Sequence, residues 1–189
     1  MAAAGIQRQL KEQKIFSYKN LLPKLHETVF LASGVKIIGD VEIGEDSSVW
    51  YNSVIRGDVH YIKIGKLTNI QDCCMLHVTN DKFPLNIGDK VTIGHSVSLH
   101  GCTINDLCLI GIGATILDGA IVEEKSIVAA GALVRQNFVV PTGMLVAGVP
   151  ARVLRDLTAE ELDEFERSAI RYKEYTKLTI ASLKNENIK

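Results

Sequence analysis

A bulky aliphatic residue returns every six positions along most of this chain. The beat falls at Ile37, Ile43, Val49 and Ile55, then at Ile64, Ile70 and Leu76 after three extra residues, 59–61. A longer insertion, residues 80–84, precedes Ile87, Ile93 and Leu99. One residue is then dropped, and the beat runs without slip through Ile104, Ile110, Ile116, Val122, Val128, Val134, Val140 and Val146. A period of six fits neither a helix nor a long alternating strand. It is the mark of a solenoid, and hexapeptide repeats are associated with parallel β-helices. Each beat residue then points into a prism whose three flat sides are short strands, and the backbone groups of successive coils pair with each other. Glycine often follows the beat, as at Gly44, Gly65, Gly88, Gly94 and Gly111, and is expected to ease tight corners. An ordinary β-sandwich would need irregular strand spacing and hairpin turns such as Asn-Gly, and the sequence has neither.

The beat ends near Gly148-Val149-Pro150-Ala151-Arg152, where the proline is expected to stop the solenoid. Thr158-Ala159-Glu160-Glu161 then reads as a capping box that opens a helix. Leu162, Phe165, Ala169, Tyr172, Thr176 and Ile180 follow at helical spacing, a stripe that needs a surface to cover it. The expected organisation is a polar lead-in over 1–28, a β-helix domain over 29–153, and a helix packed on the solenoid over 154–189, its last residues frayed.

The balance of charges excludes some functions. A net charge of −1 over 189 residues leaves no basic footprint for nucleic acid and no field for a membrane surface. No apolar run approaches membrane-spanning length. Residues 1–13 lack the apolar core and small-residue cleavage site of a secretory signal, so a cytoplasmic location is expected. The four cysteines, Cys73, Cys74, Cys102 and Cys108, have no CxxC spacing and read as reduced, packed thiols.

Three of the five histidines lie where the repeat fixes their direction. His77 follows Leu76 and His100 follows Leu99, one coil later once the insertion is looped out. The two should share a face, about 4.8 Å apart along the stack, and point outward. Arg56 follows Ile55 and extends the same column. His95 belongs to the Ile93 beat on a different face, which Gln71 shares. Zinc takes three or four ligands in a tetrahedron. A convex prism does not bring two of its faces to one ion, but a second copy can, and closing that contact into a ring gives most simply a trimer. The expected ligands are therefore His77 and His100 of one subunit and His95 of its neighbour. His26 and His60 read as hydrogen-bonding surface groups.

On these residues a specific likeness appears. Ser48-Val49-Trp50-Tyr51-Asn52-Ser53-Val54-Ile55-Arg56-Gly57-Asp58, then Asn69-Ile70-Gln71-Asp72, then His77, Gly94-His95 and His100-Gly101 resemble the γ-class carbonic anhydrase family, in its compact bacterial ferripyochelin-binding-protein-like branch. The likeness runs over about residues 15 to 180 and implies a left-handed parallel β-helix with a C-terminal helix, assembled as a homotrimer. It implies that His77, His95 and His100 bind zinc, with iron(II) or cobalt as other metals for the same set. It places Arg56 and Asp58 in an intersubunit ion-pair network joined by Asp72. Gln71 would orient the water or bicarbonate, and Tyr172 would stand near the site. The implied reaction is reversible hydration of carbon dioxide to bicarbonate by a zinc-bound hydroxide. The sequence departs from the family's efficient archetype at its proton-export glutamates: Val59 takes one place, and the loop after His77 offers only Asp81. Glu174 stands where the family has an asparagine.

Two other functions share these features. A coenzyme-A-dependent acyltransferase can use the same solenoid and the same Gly-Val-Pro-Ala-Arg ending, yet needs only one histidine as general base. A metal-binding trimer without hydratase activity would keep the three histidines, since a fold does not fix a function. Hydrolysis or isomerisation of another small carbonyl compound at the same metal is a further class.

Overall fold

The computed structural model describes residues 14–186; residues 1–13 of the lead-in and 187–189 of the tail lie outside the described residues. The six-residue beat folds into three stacks of parallel strands around one core. On one face Phe30–Leu31, Ser48–Val49, Asn69–Ile70, Thr92–Ile93, Leu109–Ile110, Ile127–Val128 and Met144–Gly148 pair in that order. The other two faces form one continuous sheet, because Lys36–Ile43 and Val54–Ile64 run across the corner from one face to the next. Every beat residue from Ile37 to Val146 is buried, none more than 4% exposed. Burying such a side chain contributes about 1.5–3 kcal/mol, so the repeat itself is the core.

The insertions leave the register intact. Gly39 pairs with Gly57 and Val41 with Ile62, so the extra residues of the second coil bulge outward between those pairs. The longer insertion closes on itself through an antiparallel bridge between Thr79 and Phe83. Leu99 therefore stacks on Leu76, and His100 on His77.

The corners differ from the expectation for glycine. Left-handed backbone falls on Asp46, Leu67, Lys90, Leu107 and Lys125, with φ of 53–57°. Each of the last four donates its N–H to the preceding coil, as Leu67 does to the Glu45 carbonyl at 2.9 Å and Lys90 to that of Lys66 at 2.8 Å. That ladder offsets the roughly 1–2 kcal/mol cost of the left-handed region. Glycine after the beat serves close approach instead. Gly94 does not have positive φ, but a Cβ there would lie 2.9 Å from the Ile110 carbonyl oxygen and the Ile112 nitrogen.

Both ends of the solenoid also depart from the sequence reading. Ile15–Phe16 and Lys24–Leu25, inside the stretch read as lead-in, pair in parallel with Lys36–Ile43 and cover its outer edge. Leu25 stands twelve residues before Ile37, on the same beat, whereas Ile15–Phe16 lies off it. After Pro150 the chain does not simply stop. Ala151–Asp156 folds back antiparallel on Met144–Gly148, which caps the last coil's open edge.

The helix Ala159–Glu186 opens on the expected capping box. The Thr158 N–H donates to Glu161 Oε2 at 2.9 Å, and the Glu161 N–H donates to Thr158 Oγ1 at 3.2 Å. The helix lies against the face that holds Ser48–Val49 and Thr92–Ile93. Phe165, Ser168 and Ala169 are buried there, whereas Leu162 and Ile180 of the expected stripe are each 38% exposed. Lys90–Glu166 and Lys173–Asp46 ion pairs, at 2.8 and 2.6 Å, fasten it at the edges. Among the described residues no helix is long and apolar enough to cross a membrane.

Candidate metal centre

The register carries His77 and His100 side by side. His77 Nδ1 and His100 Nε2 are 3.2 Å apart, and the rings meet edge to face with centroids 5.1 Å apart. The far nitrogen of each ring is held by a carboxylate from an adjoining coil. His77 Nε2 donates to Asp58 Oδ1 at 3.0 Å, and His100 Nδ1 donates to Asp118 Oδ1 at 2.6 Å. Asp58 also accepts from the Arg56 guanidinium. Burial alone would raise the Asp58 pKa, but the hydrogen bond from His77 and the Arg56 charge outweigh it and hold the carboxyl below its ordinary value. An ionised carboxylate accepts only, so each of these two rings must place its proton on the far side. In the neutral rings, the facing nitrogens are then both lone pairs. Two lone pairs at 3.2 Å repel, and either a proton shared between them or a metal cation relieves that repulsion.

His95 sits around the corner, after the strand Thr92–Ile93 of the other sheet. Its Nδ1 lies 2.8 Å from Asp72 Oδ2, an ion-pair contact. Asp72 is itself fixed, since its Oδ1 accepts the Tyr51 N–H at 3.0 Å. His95, Asp72 and Gln71 line an open pocket of about 380 Å³ with Trp50, Tyr51, Tyr172 and Tyr175. Tyr172 meets Trp50 edge to face at 5.8 Å, and burial, then the Asp72 charge, raises its pKa. Gln71 is buried, and its Nε2 donates to Asn69 Oδ1 at 3.3 Å. The chain continues from Asn69 Nδ2 to Thr92 Oγ1 and on to Ser168 Oγ of the helix, each at 2.9 Å. With one N–H so used, Gln71 keeps its other N–H and its carbonyl oxygen for whatever enters the pocket.

One chain thus presents two separate side-chain clusters. His77, His100, Arg56 and Asp58 form one, and His95, Gln71 and Tyr172 form the other. Among the described residues no three His, Cys, Asp or Glu side chains of a single chain are placed to hold a metal. The donor set nevertheless fits zinc. Each imidazole has one nitrogen tied to a carboxylate and the other available, the usual arrangement of metal-bound histidine. Two nitrogens bonded to a tetrahedral ion at 2.0–2.1 Å are about 3.3 Å apart, close to the spacing of the stacked pair.

Sequence reasoning passed over Asp118, Asn69's part in fixing the amide, and the Thr92–Ser168 tie to the helix. Asp118 follows Ile116 by two, one position past the slot that Leu117 takes opposite His100, so counting the column one coil further reaches its neighbour and misses it. The residues weighed for proton transfer stand elsewhere. Val59 packs on the core, Asp81 is exposed beside Asn80, and Glu174 pairs with Lys177. His60 accepts the Tyr61 N–H through Nδ1 at 2.9 Å, and His26 bonds Thr28.

The fold and its repeat place the chain among the hexapeptide-repeat solenoids, and residues 23–57 match the bacterial transferase hexapeptide (six repeats) family. Over 148 residues the chain is 52% identical to a Methanocaldococcus jannaschii protein named probable carbonic anhydrase, covering 78% of this chain and 92% of that one. It is 50% identical over 155 residues to gamma carbonic anhydrase 1, mitochondrial, of Arabidopsis thaliana, a match over 79% of this chain and 56% of the plant protein. The crystal structure of a hexapeptide transferase family protein from Anaplasma phagocytophilum aligns with a TM-score of 0.84 at 40% identity, over 87% of this chain and 96% of that one. The chain belongs to the γ-class carbonic anhydrase family.

Proposed function

We propose that three copies close into a ring and that each interface hydrates carbon dioxide reversibly to bicarbonate. His77 and His100 of one copy and His95 of the next would hold the metal. The observation that carries this reading is the pair of imidazole nitrogens facing each other at 3.2 Å on one face, with a third imidazole beside a carboxylate around the corner. Three neutral imidazoles suit zinc, and also iron(II) and cobalt. Bound there, zinc supplies Lewis acidity and lowers the pKa of a water toward neutrality, the chemistry that carbon dioxide hydration needs.

The chain's own residues supply position and surroundings. Asp58 and Asp118 hydrogen-bond two of the rings and fix their tautomers, and Asp72 lies against the third. Gln71, its amide turned by Asn69, accepts a hydrogen bond from the protonated oxygen of the reacting water or of bicarbonate. Trp50 and Tyr172 form an apolar wall suited to carbon dioxide, which is itself apolar. Arg56, paired with Asp58, carries positive charge to the edge of the stacked pair and suits an anionic product.

Stopped-flow hydration of carbon dioxide tests the reading, on protein loaded with zinc and separately with iron(II) in the absence of oxygen. Metal content per chain is read on the same samples. Hydration that vanishes in His100→Ala supports it. Full metal occupancy without hydration overturns the activity while leaving the site. The hexapeptide match favours one other reading, acyl transfer from coenzyme A on the same solenoid. Calorimetry that finds no acetyl-coenzyme A binding to the zinc-loaded protein counts against it.

A further inference from the structure

We infer that Asp118, braced by Thr79, is the positioning residue that sets the metal affinity of His100. The inference rests on the reading of His100 as a metal ligand. Asp118 lies one coil beyond His100 and uses both of its oxygens. Oδ1 accepts the Nδ1–H of His100 at 2.6 Å, and Oδ2 accepts the Thr79 hydroxyl at 2.8 Å. The hydroxyl locks the carboxylate's rotation, and the carboxylate locks the ring. A ring whose Nδ1 must carry the proton keeps Nε2 as a lone pair, directed toward His77. A carboxylate on the far nitrogen also makes an imidazole a better donor.

The brace comes from the insertion that interrupts the beat. Thr79 opens that turn, and Phe83 closes it through their backbone bridge. Phe83 then lies over Gly101 and Gly119. A Cβ at Gly101 would fall 2.7 Å from the Phe83 Cβ, and one at Gly119 would fall 2.9 Å from its Cε1. Gly101 directly follows His100, and Gly119 directly follows Asp118. The loop therefore clamps the ligand and its carboxylate from the side where the chain leaves both. The short loop, whose one acid faces solvent, is here a clamp on a metal ligand.

The test measures zinc affinity by competition with a chromophoric chelator, and the tautomer of His100 by nitrogen-15 NMR on the metal-free protein. Asp118→Ala is expected to weaken zinc binding ten- to a hundredfold, the usual effect of removing such a partner. Thr79→Val, a milder change that keeps the fold if Asp118→Ala does not, is expected to weaken it in the same direction by less. Metal-free wild type is expected to show His100 protonated at Nδ1, with that preference lost in Asp118→Ala. Unchanged affinity or an unchanged tautomer in a folded Asp118→Ala protein would overturn the inference. Wild type that binds zinc no more tightly than His100→Ala would instead remove the metal site on which it rests.

Discussion

Mixing two defective chains gives a number that depends only on which side chains share a subunit. Each proposed site takes His77 and His100 from one copy and His95 from the next. In an equal mixture of His77→Ala and His95→Ala chains, a site is whole only if its first contributor is the His95→Ala chain and its second is the His77→Ala chain. Random assembly makes that about one interface in four. A second mixture uses wild type with the His77→Ala/His95→Ala double variant. There an intersubunit site is whole only where two wild-type copies meet, again about one in four. A site built within one chain would give none in the first mixture and about half in the second. The chains are refolded together, separated from free metal, and assayed for zinc per chain and for carbon dioxide hydration. Each variant alone supplies the baseline. A first mixture no better than its components, together with half occupancy in the second, refutes the intersubunit arrangement.

Other outcomes follow from the same geometry. Among the described residues Asp72 is the only acid lining the pocket, and it is committed to His95 and Tyr51, so proton export should fall to the buffer; hydration should accelerate as imidazole buffer is raised, and a rate independent of buffer would point to an internal relay. Leu99 is 1% exposed between Leu76 and Ile116, so Leu99→Ala should cost about 2–5 kcal/mol in chemical denaturation. Burial pushes the Cys74 thiol up to about 11, that of Cys108 to about 12 and that of Cys102 higher still, so a thiol reagent at pH 8 should find at most Cys73 in the native protein and all four on unfolding. The Arg155 side chain and the Thr158 N–H lower Glu161 from 4.5 to about 2, so its contribution to stability is whole above 4.5 and is lost as pH falls toward 2. Thermal melting of Glu161→Gln should show a flatter acid limb than the parent.

How much was legible in the sequence depended on whether a residue obeys the beat. The solenoid, the stacking of His100 on His77, and the placing of His95 on another face all follow from counting sixes with two loops removed. The capping box at Thr158 was equally plain, because its two hydrogen bonds are local. The N-terminal strands were not, although Leu25 and Leu31 stand on the same beat as Ile37: polar neighbours and only partial burial blur the signal there, and Ile15–Phe16 lies off the beat altogether. The left-handed corners at Leu67 and Lys125 were also hidden, because the hydrogen bonds that offset their strain run to the next coil. The folding back of Ala151–Asp156 was obscured by a proline that suggests only an ending. The helix stripe was read too widely, because periodicity marks a face but not how much of it finds a surface.

The carboxylates hide in the sequence for a related reason, and the same reason makes them recoverable. Each histidine of the proposed site lies against an aspartate from an adjoining coil: His77 against Asp58, His95 against Asp72 and His100 against Asp118. The separations are 19, 23 and 18 residues, each within two of the local coil length of 21, 23 or 17. In a helix such pairs would stand four residues apart, where a reader looks for them. In a solenoid the neighbour is one turn of the prism away, so the pairing rule is set by coil length. Once the coil is known, an acid near that distance from each outward histidine becomes a search. Here it returns all three partners, and with two of them the tautomer of the ring. A lone surface histidine has no need of such a partner. Three so placed, on two faces of one convex prism, are the arrangement that the proposed assembly would complete.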